Sequence, residues 1–234
     1  MENFKIRRYQ LGFGSKKALL IFPHWGCSAW PYKLLALAFP GFRRIVYQYS
    51  SSLLNSDIKF TADNFAKFER AISVDVKRLK AEGVESFGFH ATSLGTVIAA
   101  KSAKSLADIG ENISHIILNL SAASFPCAVW HGRATRETRD GLVRRGIGYM
   151  RLEREWGFLS PINNLAGLKK ETKILFFASL EDNTMEKSNV DDLIVWLKKN
   201  CPNAEFHFNV SLGHRWGGIK NMLRVRIVKK FLES

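Results

Sequence analysis

The chain has 234 residues, 46% of them hydrophobic and 24% charged, a balance that excludes a disordered segment and fits one globular domain spanning 1–234. Its 35 lysines and arginines outnumber 21 acids, a net charge of +14 that attracts acidic partners; no Walker-type GxxxxGK[ST] loop, zinc-finger spacing or aromatic-interleaved RNA-binding signature accompanies it, so no specific nucleic-acid site is expected. No stretch reaches the roughly 18 uncharged apolar residues of a membrane span, and Met1–Arg8 lacks the apolar core of a signal peptide, so a cytoplasmic protein is expected.

Short apolar runs alternate with segments of helical period, the pattern of an α/β protein whose mostly parallel central sheet is flanked by helices. In chain order the spacing predicts strands at 4–10 and 18–22, a helix at 30–38, a strand at 44–49, a helix at 63–81 and a strand at 86–90. A helix at 93–106, a strand at 115–120, a strand at 173–178, a helix at 190–199, a strand at 205–210 and a helix at 219–232 follow. Between the fifth and sixth strands the alternation fails. The stretch 126–161 is polar, arginine-rich and aromatic, too long for a plain loop, and reads as a small helical cap insertion over one end of the sheet.

Where the fourth strand meets its helix stands Ala91-Thr92-Ser93-Leu94-Gly95. A serine held on a sharp strand-to-helix turn needs small residues two before and two after it, and the same turn aims the Leu94 N–H at the place where an oxyanion would form. The plainer reading is a helix N-cap serine. A nucleophilic serine requires a histidine base and an acid to orient it, each past a later strand, in the order serine, acid, histidine. After the sixth strand comes Ser179-Leu180-Glu181-Asp182-Asn183-Thr184-Met185, where either Glu181 or Asp182 fits; Asp182 is preferred, because a small apolar anchor follows it by three residues. After the seventh comes Gly213-His214-Arg215-Trp216.

These elements resemble the α/β-hydrolase superfamily over nearly the whole chain. The early segment from Phe22 to Tyr32, FPHWGCSAWPY, is similar to the oxyanion loop of small serine carboxylesterases, including the pimeloyl-carrier-protein methyl esterase type. The resemblance implies Ser93, Asp182 and His214 as a catalytic triad, the N–H groups of Trp25 and Leu94 as oxyanion donors, Trp25 as a wall of the acyl pocket, and no cofactor. The chain departs from the family at Pro23-His24, where His-Gly is usual, at Ala91, which replaces the first elbow glycine, and at Thr96, which replaces a glycine common after the elbow.

Trp130, Tyr149, Trp156 and Phe158 are the candidate pocket walls within the cap. Between His131 and Glu155 lie seven arginines and four acids, which suits an acidic acyl carrier or an anionic substrate; the alternative is a solvated helix with i,i+4 pairs such as Arg133 with Glu137. His90, His115, His131 and His207 are expected to be non-catalytic. Cys27, Cys127 and Cys201 lie far apart with no CxxC pair, so neither a disulfide frame nor a metal site is indicated. The function expected is a serine esterase acting on small-molecule esters of small or medium acyl chains. The alternatives are a thioesterase or lactonase using the same triad, and a catalytically silent protein binding an acidic partner through the arginine-rich cap.

Overall fold

Seven strands form one sheet in the order β1-β3-β2-β4-β5-β6-β7, in a computed structural model that describes residues 4–182, 184–210 and 213–234. The strands are β1 (Ile6–Leu11), β2 (Lys17–Phe22), β3 (Arg43–Tyr49), β4 (Ser86–Thr92), β5 (Ile113–Asn119), β6 (Lys173–Ser179) and β7 (Ala204–Asn209). Edge strand β1 runs antiparallel to β3, and every other pairing is parallel. Each observed strand falls on an expected one with its ends within two residues.

Burial on both faces explains the near-continuous apolar strands. Along β2, Ala18, Leu20 and Phe22 enter one core while Leu19 and Ile21 enter the other; along β6, Ile174, Phe176 and Ala178 alternate with Leu175 and Phe177 in the same way. The first core is covered by α2 (Ile58–Ala81), α3 (Leu94–Asp108) and α8 (Lys187–Asn200), and the second by α1 (Trp30–Leu37) and α10 (Val225–Glu233). Helix α2 starts earlier than its apolar period suggests. Asp57 caps it, accepting the Phe60 N–H at 3.0 Å.

The single terminal helix expected at 219–232 is two helices, α9 (Gly213–Met222) and α10. The chain leaves helical geometry at Arg224 (φ −78°, ψ 42°), which lets α10 lay Val228, Phe231 and Leu232 on the second core while α9 stays at the strand ends. His214 therefore lies in the first turn of a helix.

Between β5 and β6 the chain makes α4 (Phe125–His131), α5 (Arg136–Arg144), α6 (Tyr149–Trp156) and α7 (Pro161–Leu165). This excursion is fastened to α2. The Trp156 indole is fully buried, stacks on Phe125 and donates Nε1–H to Ile58 O at 3.1 Å, and Arg145 reaches Asp57 at 3.6 Å. Among the described residues Arg133 forms no ion pair with Glu137; Arg136 with Asp140, at 3.8 Å, is the i,i+4 pair of α5.

Candidate active site

Ser93 sits between β4 and α3 with φ 52° and ψ −122°, a backbone region that a non-glycine residue rarely enters. Both sides of the turn are pinned. Ser93 N–H donates to Asn119 O at 2.8 Å, continuing the β4–β5 ladder, while Thr96 donates both its N–H, at 2.8 Å, and its hydroxyl, at 2.6 Å, to Ser93 O. Gly95 passes so close to the end of β2 that an added Cβ would lie 2.4 Å from Phe22 O and 2.7 Å from Pro23 O. Ala91, the other small residue of the turn, is wholly buried.

The Ser93 hydroxyl does not cap α3. Its Oγ lies 2.9 Å from His214 Nε2, and His214 Nδ1 lies 2.6 Å from Asp182 Oδ2. With Nδ1–H donating to the carboxylate, Nε2 is left to accept the serine proton. The remaining Asp182 oxygen, Oδ1, accepts the N–H groups of Thr184 at 2.9 Å and Met185 at 3.4 Å. Asp182 is thus buried and fully engaged, whereas its neighbour Glu181 points to solvent.

A run of buried asparagines, which no sequence signal marked, ties α9 to the sheet below His214. Asn209 Nδ2 donates to Asn221 Oδ1, Asn221 Nδ2 to Asn119 Oδ1 at 2.9 Å, and Asn119 Nδ2 to Gly218 O at 3.2 Å. The next residue, Leu120, is the other non-glycine residue at positive φ among those described (57°), and it turns its side chain into the site.

The loop after β2 carries His24 and Trp25. His24 needs no glycine-like geometry: its φ is not positive, and Nδ1 sits 3.0 Å from the Tyr32 hydroxyl. Burial, with the neighbouring His214 and the Arg215 guanidinium adding to it, lowers the His24 pKa. The Tyr49 hydroxyl bonds to Pro23 O, and Trp25 Nε1 donates to Ser51 O at 2.7 Å, so the loop is held from both sides. Among the described residues no backbone carbonyl outside the helices and strands takes up the N–H of Trp25 or of Leu94.

Ser93 and His214 open on a pocket of about 180 Å³ walled by Trp25, Leu94, Val97, Leu120, Phe125 and Met185. Trp130, Tyr149, Trp156 and Phe158 are not among its walls. Trp156 is used in packing the excursion onto α2, Trp130 and Tyr149 lie against each other with ring centroids 6.1 Å apart, and Phe158 is half exposed. The excursion reaches the pocket instead through the opposite side of α4, by Phe125, Ala128 and Val129. On the far side of His214 a larger groove, about 950 Å³, runs between α1 and α9 past Cys27, Tyr32, Leu35, Ile219 and Leu223.

A mostly parallel sheet with an antiparallel edge, a strained serine after β4, an acid after β6 and a histidine after β7 together define the α/β-hydrolase fold. Solved structures share it: an esterase from Pyrococcus furiosus (11% identity, TM-score 0.65, covering 98% of this chain and 90% of that one) and an acetyl xylan esterase from Paenibacillus sp. R4 (13%, 0.69, 97% and 79%). An esterase from Exiguobacterium antarcticum is also similar (12%, 0.60, 99% and 96%). At these identities the likeness is one of fold. No protein-family model and no curated protein matches the chain.

Proposed function

We propose that the protein is a serine hydrolase cleaving carboxylic esters of small or medium acyl chains. The observation that carries this reading is the hydrogen-bonded series Ser93–His214–Asp182, ending on a strained serine that faces an apolar pocket. As Ser93 Oγ attacks the ester carbonyl, His214 Nε2 takes its proton and Asp182 stabilises the imidazolium. The N–H groups of Trp25 and Leu94 receive the carbonyl oxygen as it becomes an oxyanion. His214 passes the proton to the departing alkoxide, and a water activated by the same nitrogen then hydrolyses the acyl-Ser93 ester.

The pocket supports the acyl size: about 180 Å³ is little more than the roughly 150 Å³ cavity that accommodates benzene. The β5–β6 excursion serves as the cap, with α4 closing the pocket. Thioesters and lactones offer the same carbonyl to the same residues, and a substrate panel separates them. An acidic carrier or anionic substrate has weaker support, because Arg136, Arg139, Arg145 and Arg154 each lie within 4.0 Å of a carboxylate of this chain.

The test is a fluorophosphonate probe with intact-mass readout on the wild type, Ser93→Ala and His214→Ala, followed by p-nitrophenyl esters of increasing acyl length. One adduct on the wild type, absent from both variants, is expected. A folded wild type that takes no adduct and cleaves no ester refutes the reading and leaves a catalytically silent binding protein.

A further inference from the structure

On the outer side of α4, away from the serine, three chemically different donors converge. Cys127 and His131 are one helical turn apart, so their side chains share a face. Glu186, immediately before α8, meets them from the other wall. Cys127 Sγ is 3.2 Å from Glu186 Oε2, His131 Nε2 is 3.9 Å from that same oxygen, and all three ligand atoms lie within 4.8 Å of one another. In a tetrahedral zinc site with bonds of about 2.0–2.3 Å, neighbouring donor atoms stand roughly 3.3–3.8 Å apart. The group is therefore close to coordinating spacing.

We propose that Cys127, His131 and Glu186 form a binding site for a divalent transition-metal ion, with Zn²⁺ as the best-matched occupant. A thiolate, an imidazole and a carboxylate suit zinc, whereas calcium and magnesium take all-oxygen sets. Carboxylates gather here in an otherwise basic chain: Glu153 accepts the Ser124 hydroxyl at 3.2 Å, and Glu186 accepts from the Cys127 thiol. Three protein donors leave a fourth position for solvent, and Glu186 and His131 are exposed, so an ion has a path of entry. On binding, the Cys127 proton passes to solvent.

The position gives such an ion a purpose. Thr184 and Met185, just before Glu186, line the pocket and accept or donate the bonds that hold the Asp182 loop: both N–H groups bind Asp182, and Thr184 O accepts the Arg133 N–H at 3.2 Å. Ala128, beside the two helix donors, lines the same pocket. An ion bridging Cys127, His131 and Glu186 clamps α4 to the loop that carries the triad acid, from outside the pocket. The sequence hides this arrangement, since Glu186 lies far beyond the Cys127–His131 pair and no metal-binding spacing appears.

Binding is read without turnover, on the full chain carrying Ser93→Ala, so its outcome is separate from that of the hydrolase reading. Zn²⁺ is titrated by calorimetry and Co²⁺ by absorption, where a thiolate-to-cobalt band reports the cysteine directly. One ion per chain is expected. Cys127→Ser abolishes the band, and His131→Ala and Glu186→Gln each weaken binding by at least the roughly 10-fold that loss of an outer-shell partner costs; Cys201→Ser, at the other end of α8, changes neither. Circular dichroism of each metal-free variant confirms its fold. Absence of stoichiometric binding to the parent chain overturns the proposal, as does a band that survives Cys127→Ser or binding unchanged in both His131→Ala and Glu186→Gln.

Discussion

Gly95→Ala tests the link between local sterics and the site. The new methyl carbon would stand 2.4 Å from Phe22 O and 2.9 Å from Phe22 C, about 1 Å inside ordinary contact, and the obstacle is backbone rather than a side chain that can swing away. Either the start of α3 or the end of β2 must move. Overpacking of this kind costs about 1–3 kcal/mol, and in a domain of this size each kcal/mol lowers the melting temperature by about 2–4 °C, so a fall of roughly 2–12 °C is expected. The larger effect falls on chemistry. The shifted elements carry Ser93 on one side and the Trp25 loop on the other, and a displacement near 1 Å is worth about 10²-fold in rate. Thermal unfolding and the rate of fluorophosphonate labelling measure the two effects, with Gly41→Ala, where an added Cβ meets nothing within 4 Å, as the control. A Gly95→Ala protein that melts and labels like the Gly41→Ala control refutes the reasoning.

Asp182→Asn should lower kcat/KM by about 10⁴, since an amide cannot hold His214 in the required tautomer, while Glu181→Gln leaves it near the wild-type value; equal losses in the two would move the role of acid away from Asp182. Asn221→Ala removes the middle of the asparagine run and leaves buried partners unsatisfied, at about 1–3 kcal/mol. Because α9 then loses two of these three bonds to the sheet, keeping that from Asn119 to Gly218 O, kcat should fall more than KM rises, and an unaltered kcat would mean that the run supports stability alone. Burial pushes the His90 imidazole down to about 4 from its ordinary 6.5, so the unfolded chain takes up a proton before the folded one does. His90 therefore contributes stability in full above pH 6.5 that drains away as the pH falls toward 4, up to about 3 kcal/mol; His115, also held at about 4 by burial, shares the slope. Urea midpoints between pH 7 and 4.5 should fall less steeply in His90→Gln than in the wild type, and identical slopes would contradict the assignment.

Strand positions and the serine turn could be read from the chain because both are governed by near neighbours. A strand buried on two faces must be apolar along its length, and a turn at φ 52° admits only small residues at positions 91 and 95. The meeting of Ser93, Asp182 and His214 was equally readable, since parallel strands deliver their following loops to one end of the sheet. Tertiary packing decided the rest. Glu181 and Asp182 are adjacent and chemically alike, and only the path of the loop turns one to solvent and the other to His214. The aromatic residues of the excursion could be named but not aimed: Trp156 spends its indole on Ile58, 98 residues away, while Leu120, Phe125 and Met185 line the pocket. A cysteine and a histidine one turn apart on α4 met Glu186 only when α4 folded against the acid loop. Residue type sets what a side chain can do, and the long-range contacts of the fold set which groups it meets.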